Sequence, residues 1–354
     1  MRGIYVHIPF CQNKCGYCDF FSVCAPEKNI VEEYCSRLKA SFSGGRNRPA
    51  DTVYFGGGTP TAIAPDLLCS VLDAVRCNFS LAPDSEISLE ANPNTVSKQS
   101  LLLYKQAGFN RISFGAQSFS DEELRALGRT HNAQQIREAV KWAKEAGFEN
   151  ISLDLMLAIP EQTEKSLEYS LAQAVSLEVQ HLSVYILKVE EKTPFGRSGV
   201  TVDDDLAADL YLQAVKYLER AGFSQYEISN FAKPGFACRH NLKYWNCDEY
   251  FGFGAAAHSF VERVRFANTD RLDFSKDSAR TSGGGFEEYA MLRLRLTDGL
   301  LTDEFARRGG DTEKILEKAH RFVPEGFVKV ESGRIALTPK GLLISNTIIG
   351  ALLL

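Results

Sequence analysis

Gly3-Ile4-Tyr5-Val6-His7-Ile8-Pro9-Phe10-Cys11-Gln12-Asn13-Lys14-Cys15-Gly16-Tyr17-Cys18 opens the chain and sets the terms for everything after it. Ile4, Tyr5, Val6 and Ile8 read as a buried strand that Pro9 ends. Three cysteines follow in a loop, four and then three residues apart. Thiolates are soft ligands suited to iron–sulfur clusters, zinc and Cu(I). A closed structural zinc site needs four ligands, and no fourth Cys or His follows at a matching local spacing. A cubane cluster on three local cysteines leaves one iron without a protein ligand, open to a substrate or cofactor. The plainer alternative is a few inert core thiols in a chain that holds nine cysteines. The motifs downstream weigh against it.

Downstream of that loop the chain alternates strands and helices. Glu27 to Ser41 has helical spacing. Thr52 to Phe55 is a second strand, running into Gly56-Gly57-Gly58-Thr59-Pro60-Thr61, where glycines let the backbone approach a ligand. A helix carries Leu67, Leu68, Val71, Leu72 and Val75. Glu86 to Glu90 is a third strand, ending at Glu90-Ala91-Asn92-Pro93, and Ser97 to Ala107 is a helix stopped by Gly108. Asn110 to Gly115 is a fourth strand that ends at Gln117-Ser118-Phe119. Helices over Asp121 to Leu127 and Ala133 to Ala146 lead to a fifth strand, Asn150 to Met156. Lys165 to Ser176 is a helix, and His181 to Leu187 a sixth strand. The pattern is that of βα units on a parallel sheet, and six of them predict an incomplete β/α barrel. The notable polar residues fall at the C-terminal ends of strands, the edge that carries active sites in such folds.

Thr193-Pro194-Phe195 and Asp203-Asp204-Asp205 mark a change of rhythm. Leu206 to Ala221 is an amphipathic helix, and a loop-rich stretch leads to Arg239-His240-Asn241-Leu242-Lys243-Tyr244-Trp245. Ser275 to Gly285 reads as a polar loop. Phe286 to Leu296 is helical, Phe327 to Leu337 a hairpin, and Thr338-Pro339-Lys340-Gly341 caps a last helix, together a small winged-helix-like module. The expected division is 1–200, 201–285 and 286–354.

Composition narrows the function classes. With 354 residues and 44% hydrophobic content the chain can bury a large core. A net charge of −5 offers no electrostatic case for nucleic acid. There is no apolar run long enough for a transmembrane helix and no signal-peptide pattern. An odd number of cysteines without an export signal suits a reducing cytoplasm.

Taken together, Cys11–Cys18, Gly56–Thr61, the Glu90–Pro93 turn, Arg111–Phe119 and Leu153-Asp154-Leu155 through Pro160 resemble the radical S-adenosylmethionine (SAM) family. More narrowly they resemble its oxygen-independent coproporphyrinogen III oxidase-like branch, over nearly the whole chain. The resemblance implies a 4Fe-4S cluster on Cys11, Cys15 and Cys18 with SAM on the fourth iron, and reductive cleavage of SAM by an electron donor to methionine and a 5′-deoxyadenosyl radical. It implies that the backbone at Gly57, Gly58 and Thr59 serves the SAM amino end, Arg129 its carboxylate and Asp154 the ribose hydroxyls. Glu90 and Gln117 supply polar contacts, Tyr5 lies beside the cluster loop, and Tyr17 contacts adenine. Each of these taken singly has a bland reading: Glu90, Gln117 and Asp154 as caps or turn residues, Arg129 as a surface ion pair, Tyr5 as core. Their joint placement after successive strands points to a ligand site.

Within that branch the oxidase, which turns two propionates of coproporphyrinogen into vinyl groups, competes with a heme-chaperone subfamily that binds heme and passes it to an acceptor protein. The oxidase's cluster motif continues with a further cysteine two positions on, where this chain has Phe20, and it carries an N-terminal segment ahead of the first strand, where only a few residues stand here. His240, Asn241, Tyr244 and Trp245 match the HNxxYW motif that the subfamily associates with heme binding. A neutral His is a common axial ligand, and the two aromatics offer flat apolar surface. The plainer reading is a helix start with a buried aromatic pair. His258, Cys238 and His7 are further candidate ligands, and His131 is expected to be structural. Heme breakdown is a more distant reading.

Overall fold

The computed structural model describes residues 1–45 and 47–354. Six parallel strands form its centre: β1 (Arg2–Ile8), β2 (Arg48–Gly57), β3 (Phe79–Ala91), β4 (Arg111–Gln117), β5 (Asn150–Leu157) and β6 (His181–Ile186). They hydrogen-bond in sequence order. Right-handed βα crossovers put helices on one face of such a sheet, so each strand needs one apolar face. The strands supply it: Ile4, Val6 and Ile8; Val53 and Phe55; Leu89; Ile112 and Phe114; Ile151, Leu153 and Leu155; Leu182 and Val184 are all buried in one continuous core with the helices.

The alternate positions are polar and share the other face, the inside of the partial barrel. The register stacks them in layers. Tyr5 pairs with Tyr54, Tyr54 with Ser88 and Ser88 with Arg111. One step toward the C-terminal ends, Glu90 pairs with Ser113 and Ser113 with Ser152. A barrel filled by Val, Ile and Leu would be a solid core. This interior is lined with groups that need hydrogen bonds, which suits a barrel that holds a polar ligand.

The helices begin and end where their caps dictate. Ser97, Asn132 and Thr163 each accept a backbone N–H of the first turn of Lys98–Ala107, Ala133–Glu145 and Glu164–Ser176, worth about 1 kcal/mol apiece. Gly108 closes the first of these in the left-handed region, φ +99°.

The sheet departs from expectation at both edges. A seventh parallel strand, Tyr250–Phe253, adds beside β1 and carries an antiparallel ribbon of His258–Val261, Val264–Asn268 and Lys276–Ser282. The expected polar loop from Ser275 is therefore an edge strand over most of its length. Its polarity fits an edge that pairs on one side only. Beyond β6 the sheet ends in two short antiparallel strands, Asn230–Ala232 and Ser224–Gln225. β2 and β3 are also longer than the expected Thr52 to Phe55 and Glu86 to Glu90.

The C-terminal part has helices around a three-stranded sheet ordered Leu300–Leu301, Arg334–Leu337, Val328–Glu331. Its core joins Tyr289, Phe305, Ile335 and Leu352 with Cys247, Tyr250 and Phe260 of the ribbon region. The expected last helix is two, Pro339–Leu343 and Ser345–Leu353, with Ile344 between them. Among the described residues no helix is long and apolar enough to cross a membrane.

Candidate cofactor site

Cys11 ends a two-residue strand, Phe10–Cys11, that pairs with Val23–Cys24. The loop between them is tied down at its base by Val23 N–H to Pro9 O at 2.7 Å and Ala25 N–H to Cys11 O at 2.9 Å. Its crest is held from outside: Gly16 N–H donates to Leu127 O at 3.3 Å and Phe195 N–H to Gly16 O at 2.9 Å. A Cβ on Gly16 would lie 2.4 Å from the Phe195 ring, so only glycine fits between the second and third cysteines. Cys11, Cys15 and Cys18 are half-buried and line one cavity of about 350 Å³ at the C-terminal ends of the strands. Burial pushes the Cys11 and Cys18 thiols above their ordinary range. Among the described residues no three His, Cys, Asp or Glu groups converge on a point where a single ion would sit. A cubane takes each thiolate on a different iron, so three cysteines spread along one wall suit it.

The facing wall comes from the strand ends. Gly57, Gly58, Thr59, Glu90, Asn92, Ser113, Gln117, Arg129 and Asp154 line the same cavity. At Gly58 a Cβ would lie 2.8 Å from Phe10 O and 3.1 Å from Cys11 Sγ, which closes this turn to any larger residue beside the cysteine. Thr59 Oγ1 is 3.7 Å from Cys11 Sγ and accepts Asn92 Nδ2 at 3.0 Å. Asn92 Oδ1 accepts Arg129 Nη1 at 2.9 Å, and Arg129 Nη2 donates to the Tyr17 hydroxyl at 2.7 Å. That chain runs from the glycine turn to the residue between two cysteines. Arg129 Nε, buried, has no partner in the protein. A guanidinium held rigid with a spare donor is an anion-binding fork.

Glu90 accepts Tyr54 Oη–H at 2.7 Å and Gly57 N–H at 3.2 Å. Burial, reinforced by the nearby Asp154 carboxylate, pushes its pKa up to about 7 despite those two bonds. Asp154 accepts the Ser113 hydroxyl at 3.1 Å, and burial raises its pKa too. Gln117 sits at φ +66°, where the β4–β5 register slips. A non-glycine residue pays local strain there, and the kink re-aims the side chain into the cavity.

The cavity thus gathers the three cysteines with Tyr17, Gly57, Gly58, Thr59, Glu90, Gln117, Arg129 and Asp154. Tyr5 is not among its lining residues. Expected at the end of the first strand, it lies in the middle of β1, its ring 6.3 Å from that of Tyr54 and its hydroxyl 3.0 Å from His7 Nδ1. Asn92, Ser113, Met156 and Tyr185 line the cavity without having been singled out. Asn92 had a signal, its place in the Glu90–Pro93 turn. The other three follow from strand alternation, since each faces the same side as Glu90 or Asp154.

The HNxxYW residues lie elsewhere. Helix Arg239–Trp245 closes the N-terminal end of the barrel, capped by Glu86, whose carboxylate accepts the N–H groups of Arg239 and His240 at 3.0 Å each. His240 is fully buried. Its Nδ1 is 2.8 Å from Thr52 Oγ1 and its Nε2 2.8 Å from the Tyr244 hydroxyl, so both ring nitrogens are engaged. Burial, then the charges of Lys243 and Arg111, holds its pKa down at about 3. Both ring nitrogens are thus hydrogen-bonded within the protein, and the ring packs against its neighbours. It stacks on Tyr54 at 5.2 Å, and Tyr244 meets Tyr250 edge-on at 4.6 Å. Asn241 and Trp245 are half-buried on this same helix. Tyr244, His240, Tyr54 and Tyr5 form one aromatic column through the barrel.

The other candidate ligands differ in exposure. His7 is buried between the Tyr5 hydroxyl and Phe21 O, and Cys238 is buried against Glu86. His258 is exposed. His131 is buried and donates to Ala116 O at 3.1 Å, as expected of a structural residue.

Comparison with known proteins puts this site in a family. Residues 5–174 match the radical SAM superfamily and residues 286–344 the HemN C-terminal domain. The fold superposes on coproporphyrinogen III oxidase from Escherichia coli, a radical SAM enzyme, with a TM-score of 0.84 at 20% identity, covering 99% of this chain and 89% of that one. The chain is 36% identical to the heme chaperone HemW of Bacillus subtilis, covering 100% of this chain and 99% of the relative. It is 35% identical to the Escherichia coli HemW, covering 98% and 97%. The class is thus that of radical SAM proteins, which carry a 4Fe-4S cluster and SAM. Within it, the chain belongs to the HemW family. The cavity fits that pair of groups: three spread thiols on one wall, a backbone turn closed to side chains beside them, and an unsatisfied arginine donor opposite.

Proposed function

We propose that this chain is a heme chaperone, binding heme and passing it to an acceptor protein while carrying a 4Fe-4S cluster and SAM. The observation that carries the reading is the end-to-end identity with heme chaperones, 36% and 35% over essentially the whole of both chains. Cys11, Cys15 and Cys18 hold the cluster. Gly57, Gly58 and Thr59 receive the SAM amino end through backbone groups. Arg129, steadied by Asn92 and Tyr17, takes the carboxylate through its free Nε–H. Asp154 accepts from the ribose hydroxyls, Tyr17 and Gln117 border the adenosine, and Glu90 faces the sulfonium. When bound, the cluster and SAM together supply a one-electron redox centre whose reduction needs an electron donor. The chain's own part is to exclude bulk water from that centre, hold its charges and keep Glu90 near the midpoint of its titration at neutral pH. The chain acts in the cytoplasm, and its negative charge argues against nucleic acid as a partner. Residues 1–200 carry the cofactors, 201–285 extend the barrel, and 286–354 form the small terminal module.

The test is transfer. Heme-loaded, anaerobically reconstituted protein is mixed with an apo-hemoprotein acceptor and the Soret bands of both are followed. Movement of heme faster than free heme binds the acceptor supports the reading. Failure to bind heme, together with turnover of coproporphyrinogen, would replace it with the oxidase.

A further inference from the structure

Arg111 opens β4 and faces the same side as Ser113, two residues on, which lines the cofactor cavity. Its register partner on β3 is Ser88, two residues before Glu90. Arg111 therefore lies one layer beneath the cavity and is not among the residues that line it. It is 2% exposed, and its Nε has no hydrogen-bond partner. Among the described residues it forms no ion pair, whereas Arg239 and Lys243, on the helix that closes the barrel, both pair with Asp51. Glu86 is already spent on the N–H groups of Arg239 and His240 and on the Cys238 thiol. Burying a guanidinium without a partner is costly unless charges around it compensate. Burial pushes the pKa of Arg111 down, and the Cys238 thiol and Glu86 carboxylate hold it up, so the group stays cationic.

Two of the compensating carboxylates belong to the cavity. Burial pushes the pKa of Glu90 and of Asp154 up, and Arg111 is among the groups that draw both down. The other titratable groups around Glu90 are Tyr5, Tyr54, Tyr185 and Tyr244, whose hydroxyls burial pushes up and so keeps neutral. Asp154, which repels, and Arg111, which attracts, are the charges that act on it. Arg129 is held by Asn92 and Tyr17 instead.

We propose that Arg111 is a positioning residue for the cofactor site: from the layer beneath, its guanidinium supplies the positive charge that keeps Glu90 an anion toward the sulfonium of SAM. The inference rests on the SAM site as read above and deepens it. Two carboxylates in one secluded cavity do not both stay charged without a cation near them. Arg111 supplies that cation without competing for the ligand.

The test is equilibrium dialysis of SAM against the reconstituted chain across neutral and mildly alkaline pH. S-adenosylhomocysteine, which lacks the sulfonium charge, is run alongside. Wild-type SAM affinity rises with pH and levels off above about pH 7, where Glu90 is charged, and S-adenosylhomocysteine shows no such rise. In Arg111→Gln the levelling-off moves up by about one pH unit or more, and Arg111→Lys keeps it near the wild-type position. Ser88→Asp leaves Arg111 in place, sets a carboxylate beside it and moves the levelling-off in the same upward direction. Cluster absorbance and melting temperature show which variants are folded. An unshifted profile in folded Arg111→Gln, or in Ser88→Asp where Arg111→Gln does not fold, overturns the proposal. So does an equal loss of affinity for both ligands at every pH, which marks a residue that only holds the fold. A wild type that binds SAM with no pH dependence overturns the proposal together with the place of Glu90 at the sulfonium, and one that binds no SAM overturns the site reading as well.

Discussion

The two ends of the barrel carry equally specific motifs and do opposite things with them. At the C-terminal end the cysteines, the glycine turn, Arg129 and Asp154 converge on open space and keep spare hydrogen-bonding capacity. At the N-terminal end His240 and Tyr244 spend theirs on each other and on Thr52. A histidine ligates through a nitrogen lone pair, and both nitrogens of His240 are hydrogen-bonded within the protein. The difference teaches that equally specific motifs can leave their hydrogen-bonding groups spare or spend them within the fold. At the closed end the same residues act as a plug: Glu86 caps the helix, Lys243 pairs with Asp51 at 2.7 Å, and the imidazole stacks on the tyrosine that hydrogen-bonds Glu90.

The largest effect that separates the ends is at the cluster. Cys15→Ala abolishes the broad iron–sulfur absorbance after anaerobic reconstitution, and retained absorbance would show that the open end is misread. Next is stability at the closed end. His240→Ala leaves Thr52 and Tyr244 without partners in a sealed site, at a cost of about 2–4 kcal/mol read from denaturant unfolding. A loss near zero would mean the helix is not a plug. At the open end Arg129→Ala weakens SAM binding by about 10- to 100-fold in equilibrium dialysis. Asn92→Ala, which removes the link from Arg129 to Thr59, weakens it less; equal losses would make Asn92 a direct contact.

The smallest effect is the pH dependence set by Glu90. Its pKa of about 7 lies above the usual carboxylate range, so the group is largely neutral below pH 7 and charged above. An anion facing a sulfonium favours binding, so SAM affinity rises a few-fold from pH 6 to 8, and Glu90→Gln flattens the rise. Stability runs the other way. The folded chain holds a proton at Glu90 that the unfolded chain releases near pH 4.5, so this residue's contribution falls as pH climbs from about 4.5 to 7.

The six barrel strands were legible in the sequence because each ends at glycine, proline or a polar turn and is followed by a helix. Eight of the nine residues expected at SAM line one cavity, most of them from strand ends. Tyr5 did not, since an aromatic in mid-strand looks the same from the sequence whether it borders a ligand or another tyrosine. The seventh strand was hidden because Tyr250–Phe253 pairs with β1 across nearly the whole chain, and parallel pairing leaves no local turn to read. Lys276–Ser282 was hidden because an edge strand need not alternate.

The most direct measurement is a heme titration of the anaerobically reconstituted protein at the Soret band, with His240→Ala in parallel. Saturable binding is predicted in the wild type, with the same affinity and spectrum in the variant so long as it stays folded. Binding lost in a variant that keeps its fold and its cluster would contradict the account and return the iron ligand to the closed end of the barrel.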